Sequence, residues 1–247
     1  MAGHSHAKNI AHQKAAMDKK RGQTFSKMVR LISIAVREGG VNLEANAKLK
    51  TAVERAKFFN VPNDNIERAI KQASGGQEGK DLSEFAFEAY GPGGIALIVE
   101  GITDNKNRTL SEIKQLLNQY SGKMAQEGSV RWLFDRKGVI VFSFGEQTLE
   151  QQNKESLEMK AIESGAQDVE WQDDLLEILL PAENVQTAKS ALEKTGVKIA
   201  SASVEWLPKE EIYVTDSDHA LAQKLIDSLD ENNDTQNVYS NLGEKNI

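Results

Sequence analysis

The chain has 247 residues, a net charge of −7, no cysteine and a hydrophobic fraction of 39%. That length suits about two domains with a real core, and the missing cysteine excludes disulfides, zinc ribbons, iron–sulfur clusters and thiol catalysis. The longest apolar runs, such as Ile95–Val99 and Ile178–Leu180, fall far short of the ~20 residues that span a bilayer, and the polar, basic opening has no apolar signal region, so the expected location is the cytoplasm.

Residues 1–22 show no clear apolar period and read as an arm, mobile unless a partner or the body pins it. Residues 24–38 predict a helix: Phe25, Met28, Ile32, Ala35 and Val36 share one face, while Lys27, Arg30 and Arg37 fall within an arc of roughly 80° on the other. Gly39 and Gly40 stop it. A second helix is expected over 44–59, with Leu49, Ala52, Val53 and Ala56 inward. A third follows Pro62, with Asp64 and Glu67 as a capping box and Ile66, Ala69, Ile70 and Ala73 as its inner stripe. Ser74–Gly79 reads as a linker.

The period then changes. Strands are expected over Glu84–Tyr90 and Ile95–Gly101, joined by the Gly91–Gly94 turn, with a helix from a Thr109/Glu112 capping box to about Tyr120 and a third strand over Ser129–Asp135. Next come strand 139–144, helix 148–164, strands 168–172 and 175–180, helix 182–195 and strand 197–206. That order, β-α-β-β-α-β, is the ferredoxin-like arrangement. The flanking pieces, β-β-α-β before it and a strand at Glu211–Val214, a helix at 217–229 and a strand near Asn237–Tyr239 after it, each lack a complete sheet. The expected fold is therefore α+β in three domains: a basic arm plus three-helix bundle (1–78), a discontinuous α+β domain (79–135 and 207–247) and an inserted ferredoxin-like domain (136–206). The acidic run Asp230–Asp234 reads as a solvated loop.

No constellation makes a positive case for an enzyme. The glycines of Gly91–Gly94 join two strands with no following lysine, unlike a phosphate-cradling loop. His4, His6 and His12 lie beside Lys8 and Lys14, which repel a cation, so no metal is assigned to them. Asp230–Asp234 imitates a calcium loop but has Thr235 and Asn241 where the glycine and the bidentate glutamate belong. Asp173–Asp174 fits a turn, and His219 stands in an acidic helix start. No cofactor, metal, membrane or small-molecule substrate is expected.

Charge points elsewhere. Residues 1–80 carry 15 basic and 7 acidic side chains, net +8, whereas 81–247 carry 15 and 30, net −15. Within residues 1–37, 8 cations face one anion, Asp18. A basic module on an acidic body predicts contact with phosphates. Phosphate neutralisation is assigned to Lys8, Lys14, Lys19, Lys20, Arg21, Lys27, Arg30 and Arg37, with Asn9 and His12 as polar readers. The aromatics are few, so stacking platforms are not obvious.

Blocks across most of residues 1–140 resemble the YebC/PmpR family, which includes mitochondrial translational activators of cytochrome oxidase. They are Met1–Ser5, Asn9-Ile10, His12, Asp18, Lys20–Gly22, Phe25–Lys27, Arg37–Gly40, Asp64–Ile70, Tyr90–Gly94, Thr103–Asn105, Asn107–Thr109 and Gly128–Val130. The chain departs from the pattern at His6-Ala7, where the family usually has Lys-Trp, and at Gln13 in place of Arg. The resemblance implies three domains, one inserted in another, and a non-enzymatic protein of gene expression. The expected activity is that of a transcriptional regulator binding promoter DNA. Two alternatives stand beside it: a translational activator binding ribosomal RNA at the ribosome, and an acidic protein-interaction scaffold.

Overall fold

The computed structural model describes the backbone of residues 6–75 and 82–243, and side chains from Gly22 onward within them. The described chain is mixed α+β, with helices α1 to α7 and two four-stranded antiparallel sheets. Residues 16–247 divide into two compact units, 134–207 in one and 16–133 with 208–247 in the other.

Helix α1 runs over His6–Gly39. The expected arm is thus helical from His6 onward. The reason is propensity rather than periodicity: Ala7, Ala11, Ala15 and Ala16 alternate with Lys, Gln and Met, all strong helix formers, and no glycine or proline intervenes before Gly22. Helices α2 (Ala47–Phe58) and α3 (Asn63–Ser74) pack on its apolar face. Met28, Ile32, Ala35, Val36, Leu49, Val53, Ala56 and Ile66 form the shared core, with Phe25 packed against it. Asn46 caps α2 by accepting from Leu49 N at 2.9 Å, and its amide donates to Ala35 O and Gly40 O, both at 2.7 Å. The capping box at α3 is absent. Pro62 occupies the cap position without a side-chain bond, which leaves Asp64 inside the first turn. Most of the expected linker lies outside the described residues.

The first sheet contains β1 (Ser83–Tyr90), β2 (Ala96–Thr103), β3 (Lys123–Met124) and β8 (Thr235–Ser240), in the order β3-β1-β2-β8. β1 and β2 pair from Ser83↔Thr103 to Tyr90↔Ala96, across a short 3-10 turn at Pro92–Gly94. Helices α4 (Lys106–Gln119) and α7 (Asp216–Glu231) cover the sheet, burying Leu97, Val99, Ile113, Leu117, Leu225 and Leu229. α4 begins four residues before its expected start. Asn105 is the cap and accepts from Arg108 N at 3.1 Å, while Thr109 lies buried inside the helix. Of the segment expected as a strand over Ser129–Asp135, only Phe134 and Asp135 are strand, opening the Phe134–Ser143 strand of the second unit, and a turn and a 3-10 turn at Arg131–Leu133 precede them. The Glu211–Val214 strand reduces to one bridge, Ile212↔Leu242.

The second unit carries β4 (Phe134–Ser143), α5 (Lys154–Glu163), β5 (Asp168–Gln172), β6 (Leu175–Pro181), α6 (Val185–Lys194) and β7 (Ser201–Pro208). Its sheet has the order β5-β6-β4-β7. Ile140, Phe142, Leu157, Leu176, Ile178 and Leu192 fill its core. Asp173, at φ 54°, and Asp174 make the β5–β6 turn, where Asp174 accepts from Gly145 N at 3.0 Å.

Candidate nucleic-acid interface

The expected interface falls in two parts. Lys8, Asn9, His12, Lys14, Lys19, Lys20 and Arg21 lie on the backbone of α1, and their side chains lie outside the described residues. Lys27, Arg30 and Arg37 are described, and each meets another part of the chain. Lys27 Nζ donates to the Asp230 carbonyl and stands 3.9 Å from its carboxylate. Arg30 donates to Asn233 O at 2.8 Å, to Ile102 O at 3.3 Å and to the Asp234 carboxylate. Arg37 donates to Leu82 O at 3.3 Å. The acidic run 230–234 is therefore tied to the α1 face through Asp230, the Asn233 carbonyl and the buried Asp234, while the Glu231 and Asn233 side chains stay exposed. Gln236 Nε2 to Lys27 O (3.2 Å) and Arg55 to Asn237 (2.9 Å) extend the same seam.

Asp234 is the centre of this seam. Its side chain is 3% exposed. Besides Arg30 it accepts from Arg108 at 2.8 Å, from Thr103 Oγ1 at 3.0 Å and from Thr109 Oγ1. Burial would raise its carboxyl, but the hydrogen bonds from Thr109, Arg108 and Arg30 outweigh that and hold it below the ordinary aspartate value. Close approach at Gly101 makes room for it, because any Cβ there would overlap the Asp234 carbonyl oxygen and the Phe85 ring. Residues 230–234 misled as a charge run. The signal that identifies Asp234's partners lay in the polar block Thr103-Asp-Asn105 and Asn107-Arg-Thr109, which sets donors beside an apolar strand.

A second buried carboxylate, Glu88 on β1, organises the turn before the Arg131–Leu133 3-10 element. It accepts from Gly128 N (2.7 Å), Val130 N (2.6 Å) and Arg131 N (2.9 Å). Burial pushes this carboxyl up, and the three backbone donors more than reverse the shift. Gly128 at φ 83° supplies the left-handed residue the turn requires.

Among the described residues no group of three or more His, Asp or Glu side chains is placed to hold a metal ion. None of the described helices is long and apolar enough to cross a membrane.

The arrangement is a long helix docked on an α+β sheet, followed by a second α+β unit. Comparison with known proteins makes the class specific. The profile of the TACO1/YebC N-terminal domain matches residues 5–76, and that of the TACO1/YebC second and third domains matches residues 82–242. A probable transcriptional regulatory protein of Caldanaerobacter subterraneus subsp. tengcongensis is 46% identical over 98% of both chains. One from Thermotoga maritima is 43% identical over 98% of this chain and 94% of its own. The crystal structure of a conserved hypothetical protein from Aquifex aeolicus superimposes with a TM-score of 0.85 at 39% identity, covering 94% of this chain and 95% of that one. The chain belongs to the TACO1/YebC family.

Proposed function

We propose that the chain is a non-enzymatic regulator of gene expression that binds DNA through its basic N-terminal region, residues 1–78. The observation that carries this reading is the charge division, +8 over residues 1–80 against −15 beyond. The names of its relatives, probable transcriptional regulatory proteins, support it. Because Lys27 and Arg30 bind Asp230 and Asp234, phosphate contact is assigned first to Lys8, Lys14, Lys19, Lys20 and Arg21, with Arg37 at the far end of the helix and Asn9 and His12 as polar readers. A helix of 34 residues is about 51 Å long at ~1.5 Å per residue, enough to present cations over more than one turn of a duplex. In this reading 136–206 is a ferredoxin-like domain inserted into a middle domain made of 79–135 and 207–247, and the protein works in the cytoplasm without a cofactor or small-molecule substrate.

Titration with a promoter duplex at several salt concentrations tests the assignment. Affinity should fall steeply, by about a thousandfold between 50 and 200 mM salt if some six phosphates are contacted. The K19E/K20E/R21E variant should bind weakly at every sequence and with a shallower salt slope. Unchanged binding by that variant would sink the assignment. Crosslinking in cells then identifies the target. Promoter DNA supports the reading, ribosomal RNA replaces it with a translational activator, and protein partners retained by the charge-reversed chain replace it with a scaffold.

A further inference from the structure

Trp132 was expected inside a strand. It stands instead on the Arg131–Leu133 3-10 turn with 65% of its surface exposed. The indole is held to the turn by its own ring N–H. Its Nε1 donates to Ser129 O at 2.9 Å, and the Tyr90 hydroxyl donates to the same carbonyl at 3.1 Å. The turn that carries Ser129 is itself closed by Glu88, which accepts from the backbone of Gly128, Val130 and Arg131. The indole's one polar group is thus satisfied within the chain, and what it offers to solvent is ring surface.

Arg131, with its Nε 3.8 Å from the buried Glu88 carboxylate, precedes Trp132, and Lys209 is tied to the next residue by its N–H to Leu133 O at 2.9 Å. Exposed Lys123 lies opposite Tyr90 in the β1–β3 register. Glu127 and Glu210 stand on the same stretches. The local balance is too small for a track along a phosphate backbone, which leaves the ring itself as the binding surface. An exposed ring whose one polar group is already bonded has the chemistry that holds an unpaired base by stacking. A base inside a duplex has both faces covered and cannot use the site.

We propose that Trp132 and the turn beneath it form a stacking site for one unpaired nucleobase, separate from the cationic part of α1. The proposal rests on the reading of the chain as a nucleic-acid binder and adds that it engages single-stranded nucleic acid as well. Stacking of this kind is lost as about a 5- to 100-fold drop in affinity on truncation of the ring.

The test uses the full-length chain and two probes, a 12-mer oligothymidylate and a blunt duplex. In the W171F/W206F chain, which keeps Trp132 as its one tryptophan, the oligothymidylate should quench the fluorescence saturably and the duplex should not. In the otherwise unchanged chain, W132A should bind the oligothymidylate about 5- to 100-fold more weakly, W132F should recover most of the loss, and duplex affinity should stay within twofold. Equal single-strand affinity in W132A, no quenching on binding, or no single-strand binding by the parent chain would each overturn the proposal. So would W132A losing a protein partner while keeping its single-strand affinity. Duplex binding abolished by K19E/K20E/R21E but kept in W132A leaves the main reading standing when this one fails.

Discussion

Arg30 on α1 and Asp234 before β8 form an ion pair across the seam between the helical segment and the first sheet, and Arg108 from α4 shares the same carboxylate. One acidic side chain thereby ties together three elements distant in sequence. The pair explains why an arginine on the outward face of an amphipathic helix is one-quarter rather than fully exposed.

Removing the carboxylate should be severe. Asp234→Ala leaves Arg30 without its anion and strips the buried hydroxyls of Thr103 and Thr109 of an acceptor. A loss of about 3–5 kcal/mol is expected, since breaking a buried charge network leaves uncompensated groups. Arg30→Ala should cost less, because Arg108 remains at 2.8 Å. Urea denaturation of the two variants orders them.

Acid should undo the same site. Asp234 and Glu88 both titrate below their ordinary values. The unfolded chain therefore takes up protons first as pH falls. Each group contributes stability that is full above the unfolded-state value of about 4 and is lost as pH drops through the lower folded-state value. Stability measured from pH 7 downward should hold to about pH 5 and then decline, and the decline should be shallower in Glu88→Gln.

Gly101→Ala should destabilise without touching charge. The added methyl overlaps the Asp234 carbonyl and the Phe85 ring at the point where the β2–β8 register shifts. About 1–3 kcal/mol is expected, as for other overpacked sites. A thermal melt checks it, and the more open Gly22, where nothing lies within 4 Å of a Cβ, is the control.

Asn46→Ala should loosen the helical segment. It removes the cap on Leu49 N and leaves Ala35 O and Gly40 O without their donor. A cost of about 2–3 kcal/mol combines a lost cap with a buried unpaired carbonyl. Asn46→Asp keeps the cap and loses the donors, so chemical denaturation should place it between the parent and Asn46→Ala.

The regular elements were legible because their apolar spacing carries them. Met28, Ile32, Ala35 and Val36 announce one helix face, and Ile95–Val99 a buried strand. What spacing cannot report is where polar groups go once the chain closes. Thr109 looked like a cap, yet Asn105 caps the helix and frees Thr109 to meet Asp234. Glu88 and Trp132 sat in strand-like patterns, and their roles depend on the Gly128 turn. The first half of α1 has no apolar stripe, so periodicity reads it as an arm, and its helix follows from composition alone. Lys27 and Arg30 read as solvent-facing cations because their anions lie some two hundred residues downstream.

The edge of β2 is closed by β8, residues 96–103 by 235–240, with all of β4 to β7 between them. During synthesis that edge waits on the order of ten seconds at ~5–20 residues per second. The 134–207 unit has every strand of its own sheet in hand before then. It can fold as the chain emerges, while the first sheet and the Asp234 lock must form last. Nascent chains arrested before residue 230 should therefore hold one finished sheet and one open, sticky edge, the state a chaperone would meet.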